Sequence, residues 1–185
     1  ATALLALSAW LTIYFIGERA AGNTAEMLLT SSVEWFPSLN ICYAVGVDGI
    51  SVVMLLLSSI IVFTGTFATW QLKNMPKEFF LWFTLLSTGV YGFFITIDLF
   101  SMFMFYEVAL IPMYLLIGYW GSGNKEYAAM KLTLMLMGGS ALIILGLVGI
   151  YFFNGATTMN ILDIAHNNCI PADIQNVLFP FVFIG

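Results

Sequence analysis

The stretch Asp98-Leu-Phe-Ser-Met-Phe-Met-Phe-Tyr-Glu107-Val-Ala-Leu-Ile-Pro112-Met-Tyr114-Leu-Leu-Ile-Gly118-Tyr-Trp120 decides the fold. At ~1.5 Å per residue, a helix needs about 20 residues to cross a hydrocarbon core of ~30 Å, and this stretch supplies them. Asp98 is placed to cap its start, because a short carboxylate accepts from the free N–H groups of a first turn. Tyr119 and Trp120 close it, where amphipathic rings prefer the membrane–water interface. One ionisable residue, Glu107, stands near the middle. A charge at that depth costs at least ~2.5–3.5 kcal/mol on insertion scales, and the cost asks for a reason.

Working outward, the 185 residues are 61% hydrophobic and only 8% charged. An ordinary soluble domain carries ~25% charged residues. The apolar runs are long and continuous rather than alternating with period two, which predicts an all-α integral membrane protein, a polytopic helix bundle. The net charge of −5, with no basic cluster, excludes nucleic acid as a partner. The expected spans are 1–16, 47–72, 79–97, 98–119 and 125–153, with a sixth starting in 175–185, all within one membrane domain over 1–185. Ala1 opens inside an apolar run and the last run stops short of a span, so a piece of a longer chain is expected.

Between the spans, 17–45 is mixed, and its Trp35-Phe36 and Ile41-Cys42-Tyr43 suit an interfacial lid. Asp48 and Asn124 read as helix N-caps. Cys42 and Cys169 fall in loops without metal-ligand spacing and read as unpaired thiols. His166 reads as solvated within the polar stretch 154–173. Lys73, Lys77 and Lys125 gather on alternate turns. The other side carries only Arg19, with Glu18, Glu26, Glu34, Asp163 and Asp173. The lysine-bearing turns are therefore expected in the cytoplasm or its equivalent.

Two residues stand out as candidates for chemistry. Glu107 either bonds helices together as a neutral carboxyl or takes and gives a proton, and a carboxyl at membrane depth is by default functional. Pro112 has no N–H, so the carbonyl of Val108 loses its helix partner and is free for water or a side chain. Tyr114 shares the face of Glu107 and could extend a polar path. Lys131, about two turns into the fifth span, either snorkels to the surface or turns an ammonium inward. Gly138, Gly139, Ser140 and Ala141 let a neighbouring helix approach or leave room for water. Glu107 and Lys131 sit at different depths, so a direct bond is not expected. No phosphate loop, haem or iron–sulfur pattern, or nucleophile–base pair is present in the sequence.

The run Phe105-Tyr-Glu107-Val-Ala-Leu-Ile-Pro112-Met-Tyr114-Leu-Leu-Ile-Gly118 closely resembles the subunit M family of bacterial respiratory complex I, whose mitochondrial counterpart is NADH dehydrogenase subunit 4. Trp35-Phe-Pro-Ser-Leu-Asn-Ile, Val47-Asp48-Gly49-Ile50-Ser51 and the segment from Tyr127-Ala-Ala-Met-Lys131 to Gly139-Ser140 carry the same resemblance. It places the chain in the antiporter-like group, with subunits L and N and the Mrp cation/proton antiporters.

The resemblance implies a fold of about fourteen helices with two inverted repeats, each forming a half-channel. Five full helices and the start of a sixth would lie in this chain, numbered two to seven in the family. It implies that Glu107 is the helix-five glutamate and Lys131 the helix-six lysine of proton translocation, with Tyr114 and Pro112 in support. It implies no cofactor in this chain, with flavin, iron–sulfur clusters and quinone in partner subunits of an NADH-quinone oxidoreductase. The expected partners are other complex I membrane subunits, neighbouring antiporter-like ones above all, and the lipid bilayer. The expected location is the bacterial inner membrane, with the mitochondrial inner membrane and thylakoid as alternatives. An Mrp-type Na⁺/H⁺ antiporter subunit and a structural subunit with an inert carboxyl are the competing functions.

Overall fold

The computed structural model describes residues 1–23, 25–36, 41–71, 75–155, 158–166 and 170–185. The elements in chain order are helix α1 (Thr2–Ala20), strands β1 (Leu28–Phe36) and β2 (Ile41–Val47), and helices α2 (Gly49–Ala68), α3 (Pro76–Ile95), α4 (Leu99–Trp120), α5 (Lys125–Phe153), α6 (Ile161–His166) and α7 (Ala172–Ile184). The first five of these helices other than α6 and α7 are long and apolar enough to cross a membrane. The molecule is an integral membrane helix bundle. Neighbours in the chain pack on each other: α1 on α2, α2 on α3, α3 on α4, α4 on α5, and α5 on α7. Short connections make such antiparallel neighbours the natural outcome.

Many apolar side chains point outward: Met135 is 78% exposed and Leu134 65%. In a bundle surrounded by hydrocarbon or by other helices, that exposure costs nothing, because lipid tails are as apolar as leucine. One small cluster of buried apolar side chains lies at one end. Leu28, Val47, Val52 and Leu55 form it, with Leu11, Phe15, Tyr91, Phe94 and Ile95 packed against them. Nearby, Tyr91 donates a hydrogen bond to the buried Ser59 hydroxyl (2.9 Å), tying α3 to α2.

The lid expected over 17–45 is a β-hairpin. β1 and β2 pair antiparallel, from Leu28 opposite Val47 to Phe36 opposite Ile41, with a register shift between Leu28 and Ser31. Leu29 has φ of 55° at that irregularity, the conformation an extra bulge residue takes. Isolated bridges extend the pairing beyond the two-stranded hairpin. Ile97 N–H donates to Ala44 O (2.9 Å), Leu99 N–H to Met159 O (3.0 Å) and Ile161 N–H to Ile97 O (3.2 Å). Val45 bridges Thr96, and Asp98 bridges Asn160. One end of the bundle is thus covered by extended backbone from three separate parts of the chain.

Glu26 and His166 meet at 3.3 Å, each 66% exposed, so the histidine is solvated with a carboxylate beside it. Phe79 and Trp120 stack edge to face at 5.4 Å, joining the α3 start to the α4 end. The polar stretch after α5 holds the short α6.

Two capping expectations part company. Asp48 accepts from Gly49 N–H (2.6 Å), as a cap should. Asn124 stands at the N-cap of α5 as expected, and its carbonyl accepts from Ala128 N–H (3.0 Å), but its side chain makes no cap bond. Its backbone, with ψ of 57°, is not in the extended form that aims a cap side chain at the first turn. Gly123, at φ of 71°, makes the turn instead, and Lys125 Nζ reaches back to Tyr119 O (2.7 Å) near the C-terminus of α4. Cys42 has no disulfide partner among the described residues. Cys169 and Lys73 lie outside them.

Candidate functional site

α4 is held from both ends and from behind. At its start, Asp98 is 1% exposed, and its Oδ2 accepts from Ser101 N–H (3.0 Å) and Ser101 Oγ (3.2 Å). Burial pushes this carboxyl above the ordinary carboxylate range, while the Ser101 and Phe100 bonds pull it the other way. Behind α4, Gly89 and Gly92 of α3 make room. A Cβ on Gly89 would stand 2.9 Å from Ala109 Cβ, and one on Gly92 would strike the Phe105 ring. Phe105 and Ala109 flank Glu107 two residues to either side, about 200° around the helix. Glu107 therefore points away from α3.

Glu107 is half-buried, and its Oε1 is buried with no hydrogen-bond partner among the described residues. An unpaired polar atom out of water costs ~1–3 kcal/mol, more when charged, so such atoms are rare unless they serve a purpose. Pro112 lies buried five residues on, inside the helix. It offers no N–H to Val108 O, which leaves a second acceptor next to the carboxyl. Tyr114 follows on the same face, 40% exposed.

Lys131 is not brought to Glu107. The relative height of α4 and α5 follows from Gly118, where a Cβ would lie 3.8 Å from Ala129 Cβ. Lys131 is two residues beyond Ala129, which sets it about 13 Å along the axis from Glu107. It also projects about 200° away from Ala129, off the α4-facing side. Its side chain is exposed, with Nζ 5.9 Å from the Tyr127 ring centre. A crevice of about 570 Å³ between α1, α2 and α3, lined by Leu11, Leu55, Phe83 and Tyr91, contains no Asp, Glu, Lys, Arg or His side chain, so it is not the candidate site. No group of three or more His, Cys, Asp or Glu that could hold a metal exists among the described residues.

What the arrangement offers is one carboxyl at mid-membrane depth with a free oxygen, beside a proline-freed carbonyl. That motif lies in residues 96–185, which match the family described as NADH:quinone oxidoreductase/Mrp antiporter, transmembrane. This part of the chain belongs to the antiporter-like family. A NAD(P)H-quinone oxidoreductase chain 4 of Thermosynechococcus vestitus is 31% identical over 146 residues, covering 79% of this chain and 27% of that one. The chain thus spans about a quarter of that relative's length.

A chain of respiratory complex I from Thermus thermophilus with bound NADH superposes with a TM-score of 0.73 at 22% identity, over 84% of this chain and 33% of that one. A chain of the Mrp complex from Dietzia superposes with a TM-score of 0.66 at 17% identity, over 97% and 20%. At these identities the likeness is one of fold.

Sequence reading picked out Glu107 and Pro112 but missed the Ser101 hydroxyl that satisfies Asp98. The signal was there: a serine three residues after a capping aspartate sits where both its N–H and its hydroxyl can reach the carboxylate.

Proposed function

We propose that the protein is a proton-translocating membrane subunit of a complex I type NAD(P)H-quinone oxidoreductase. Electron transfer takes place in other subunits, and Glu107 takes and releases the proton in this one. The observation that carries this reading is the buried, unpartnered Oε1 of Glu107 at mid-membrane depth. A structural carboxyl would have its bonds made, as Asp98 does. An approaching cation favours the ionised carboxyl and a departing one the neutral acid, so moving a charge loads or unloads the proton.

Lys131 supplies positive charge on the lysine-rich side of the path without touching the carboxyl. Pro112 and Tyr114 leave polar groups along the route towards the Trp120 end of α4. The likeness to the Mrp complex supports a second reading, in which the same carboxyl exchanges protons for sodium ions.

The test is quinone reduction coupled to proton movement in membrane vesicles, normalised to assembled complex. Glu107→Gln keeps an amide able to donate and accept but does not titrate. Pumping is expected to fall to about a tenth of the parent rate or less. Normal pumping by the assembled variant ends the proton-carrier reading. Proton movement driven by a sodium gradient without electron donor selects the antiporter reading.

A further inference from the structure

The contact between Gly118 and Ala129 fixes more than the depth of Lys131. Glu107 lies eleven residues before Gly118 on α4, and Ser140 lies eleven residues after Ala129 on α5. Eleven residues are about three turns, so each lies on the same face as its contact residue, about 16 Å further along. The helices run antiparallel through the short turn at 121–124, so both displacements point the same way.

The burial pattern agrees. Ser140 is 7% exposed, and Ala129 and Leu147, its companions on that face, are 1% and 5% exposed. The face turned to α7 is a different one, marked by Gly139 against Gly185 and Gly146 against Val182. We infer that Ser140 is the positioning residue for Glu107, its hydroxyl standing across the α4–α5 interface at the depth of the unpartnered carboxyl oxygen.

In this structure Ser140 Oγ donates to Met137 O at 3.1 Å, a bond within its own helix. Packed helix axes lie ~8–10 Å apart, a gap that a glutamate and a serine span together. When Glu107 ionises, a side-chain rotation swings the Ser140 hydroxyl from Met137 O to the carboxylate. When Glu107 takes a proton, the hydroxyl returns to Met137 O. Ser140 thus gives the ionised form a bond that costs no net charge. No covalent bond changes and Ser140 keeps its own proton throughout. This inference rests on Glu107 being the titrating group of the proposed function.

The test uses the assembled complex with the full-length chain and dicyclohexylcarbodiimide, an apolar reagent that couples to protonated carboxyls. Modification of the Glu107 peptide is followed by mass spectrometry across a pH series. A bond from a hydroxyl to the ionised carboxylate suppresses labelling, because it favours the form that does not react. Ser140→Ala and Ser140→Gly are expected to move the labelling midpoint about one unit towards alkali. Ser140→Thr, which keeps the hydroxyl, is expected to restore it.

A midpoint unchanged in both hydroxyl-free variants overturns the inference, as does an equal shift in Ser140→Thr. Glycine is a second route to the same deletion if alanine disturbs assembly. Labelling reads the contact and not turnover. Normal pumping by Glu107→Gln would therefore end the proton-carrier reading while this measurement still decides the fate of Ser140.

Discussion

Asp98 and Glu107 are two carboxyls on one helix, and they are built in opposite ways. Asp98 sits at the covered end of α4, sealed by extended backbone, with one oxygen bonded twice by Ser101. Glu107 sits in the middle of the span with a buried oxygen that has no partner among the described residues. The first acid is fixed by its bonds and serves the fold. The second has an open position, and a group with an open position can exchange partners. Burial alone does not tell the two apart, since Asp98 is the more deeply buried. Satisfaction separates them.

The sharpest way to break this contrast is to neutralise both acids in turn. Glu107→Gln is expected to abolish most coupled pumping in assembled complex, whereas Asp98→Asn is expected to stay within about twofold of the parent, because asparagine caps a helix as well as aspartate does. Equal losses in the two variants would erase the distinction. Replacing Asp98 by leucine is a harder test of the covered end. It removes the cap and strands the Ser101 hydroxyl, at a cost of about 1–2 kcal/mol, seen as a lower unfolding temperature of the purified complex.

Lys131→Ala comes next in size. With Lys131 about 13 Å from Glu107 along the axis and facing outward, the loss of pumping should be smaller than for Glu107→Gln, and Lys131→Arg should retain more. A loss matching Glu107→Gln would mean that the lysine does reach the carboxyl.

The smallest effect is a pH slope. Because burial raises the Asp98 carboxyl above its unfolded value, the folded form holds that proton more tightly. The stability this gives is complete below pH about 4 and is lost as the pH rises through the raised value. Unfolding temperatures of parent and Asp98→Asn should therefore diverge with pH, the parent losing more towards alkali. Parallel curves would place the proton elsewhere.

Much of this contrast is legible in the chain itself. Glu107 announces itself as an acid in an apolar span, and Asp98 as a cap before one. Even the pairing of Glu107 with Ser140 is close to the surface of the sequence. In two antiparallel helices joined by a tight turn, facing residues are those whose numbers share a sum, and Gly118 with Ala129 gives the same sum as Glu107 with Ser140. What hides the pairing is the exact turn, and there the sequence misleads. Asn124 stands at the cap, but its side chain makes no cap bond; the turn is made by Gly123 and the end of α4 is satisfied by Lys125.

The hairpin is less legible still. Strand β1 is buried only at Leu28 and exposed along the rest of its length, so no alternation marks it. Its structure comes from β2, and β2 is anchored by Thr96, some fifty residues away in the chain. Pairing over such distances leaves no local signature.

The sheet at the covered end also has a chronology. Its backbone arrives in three instalments: the hairpin at 28–47, the segment Thr96–Asp98, and the segment Thr158–Ile161. Between one instalment and the next the chain crosses the membrane twice, so each is delivered to the same side. During synthesis Ala44 O waits for Ile97, and Ile97 O then waits for Ile161. This run of bridges therefore acts as a tally of completed helix pairs. It closes only after α2 with α3, and then α4 with α5, have been inserted, so the carboxyl of Asp98 is shut away only once the helix that carries Ser140 has been made.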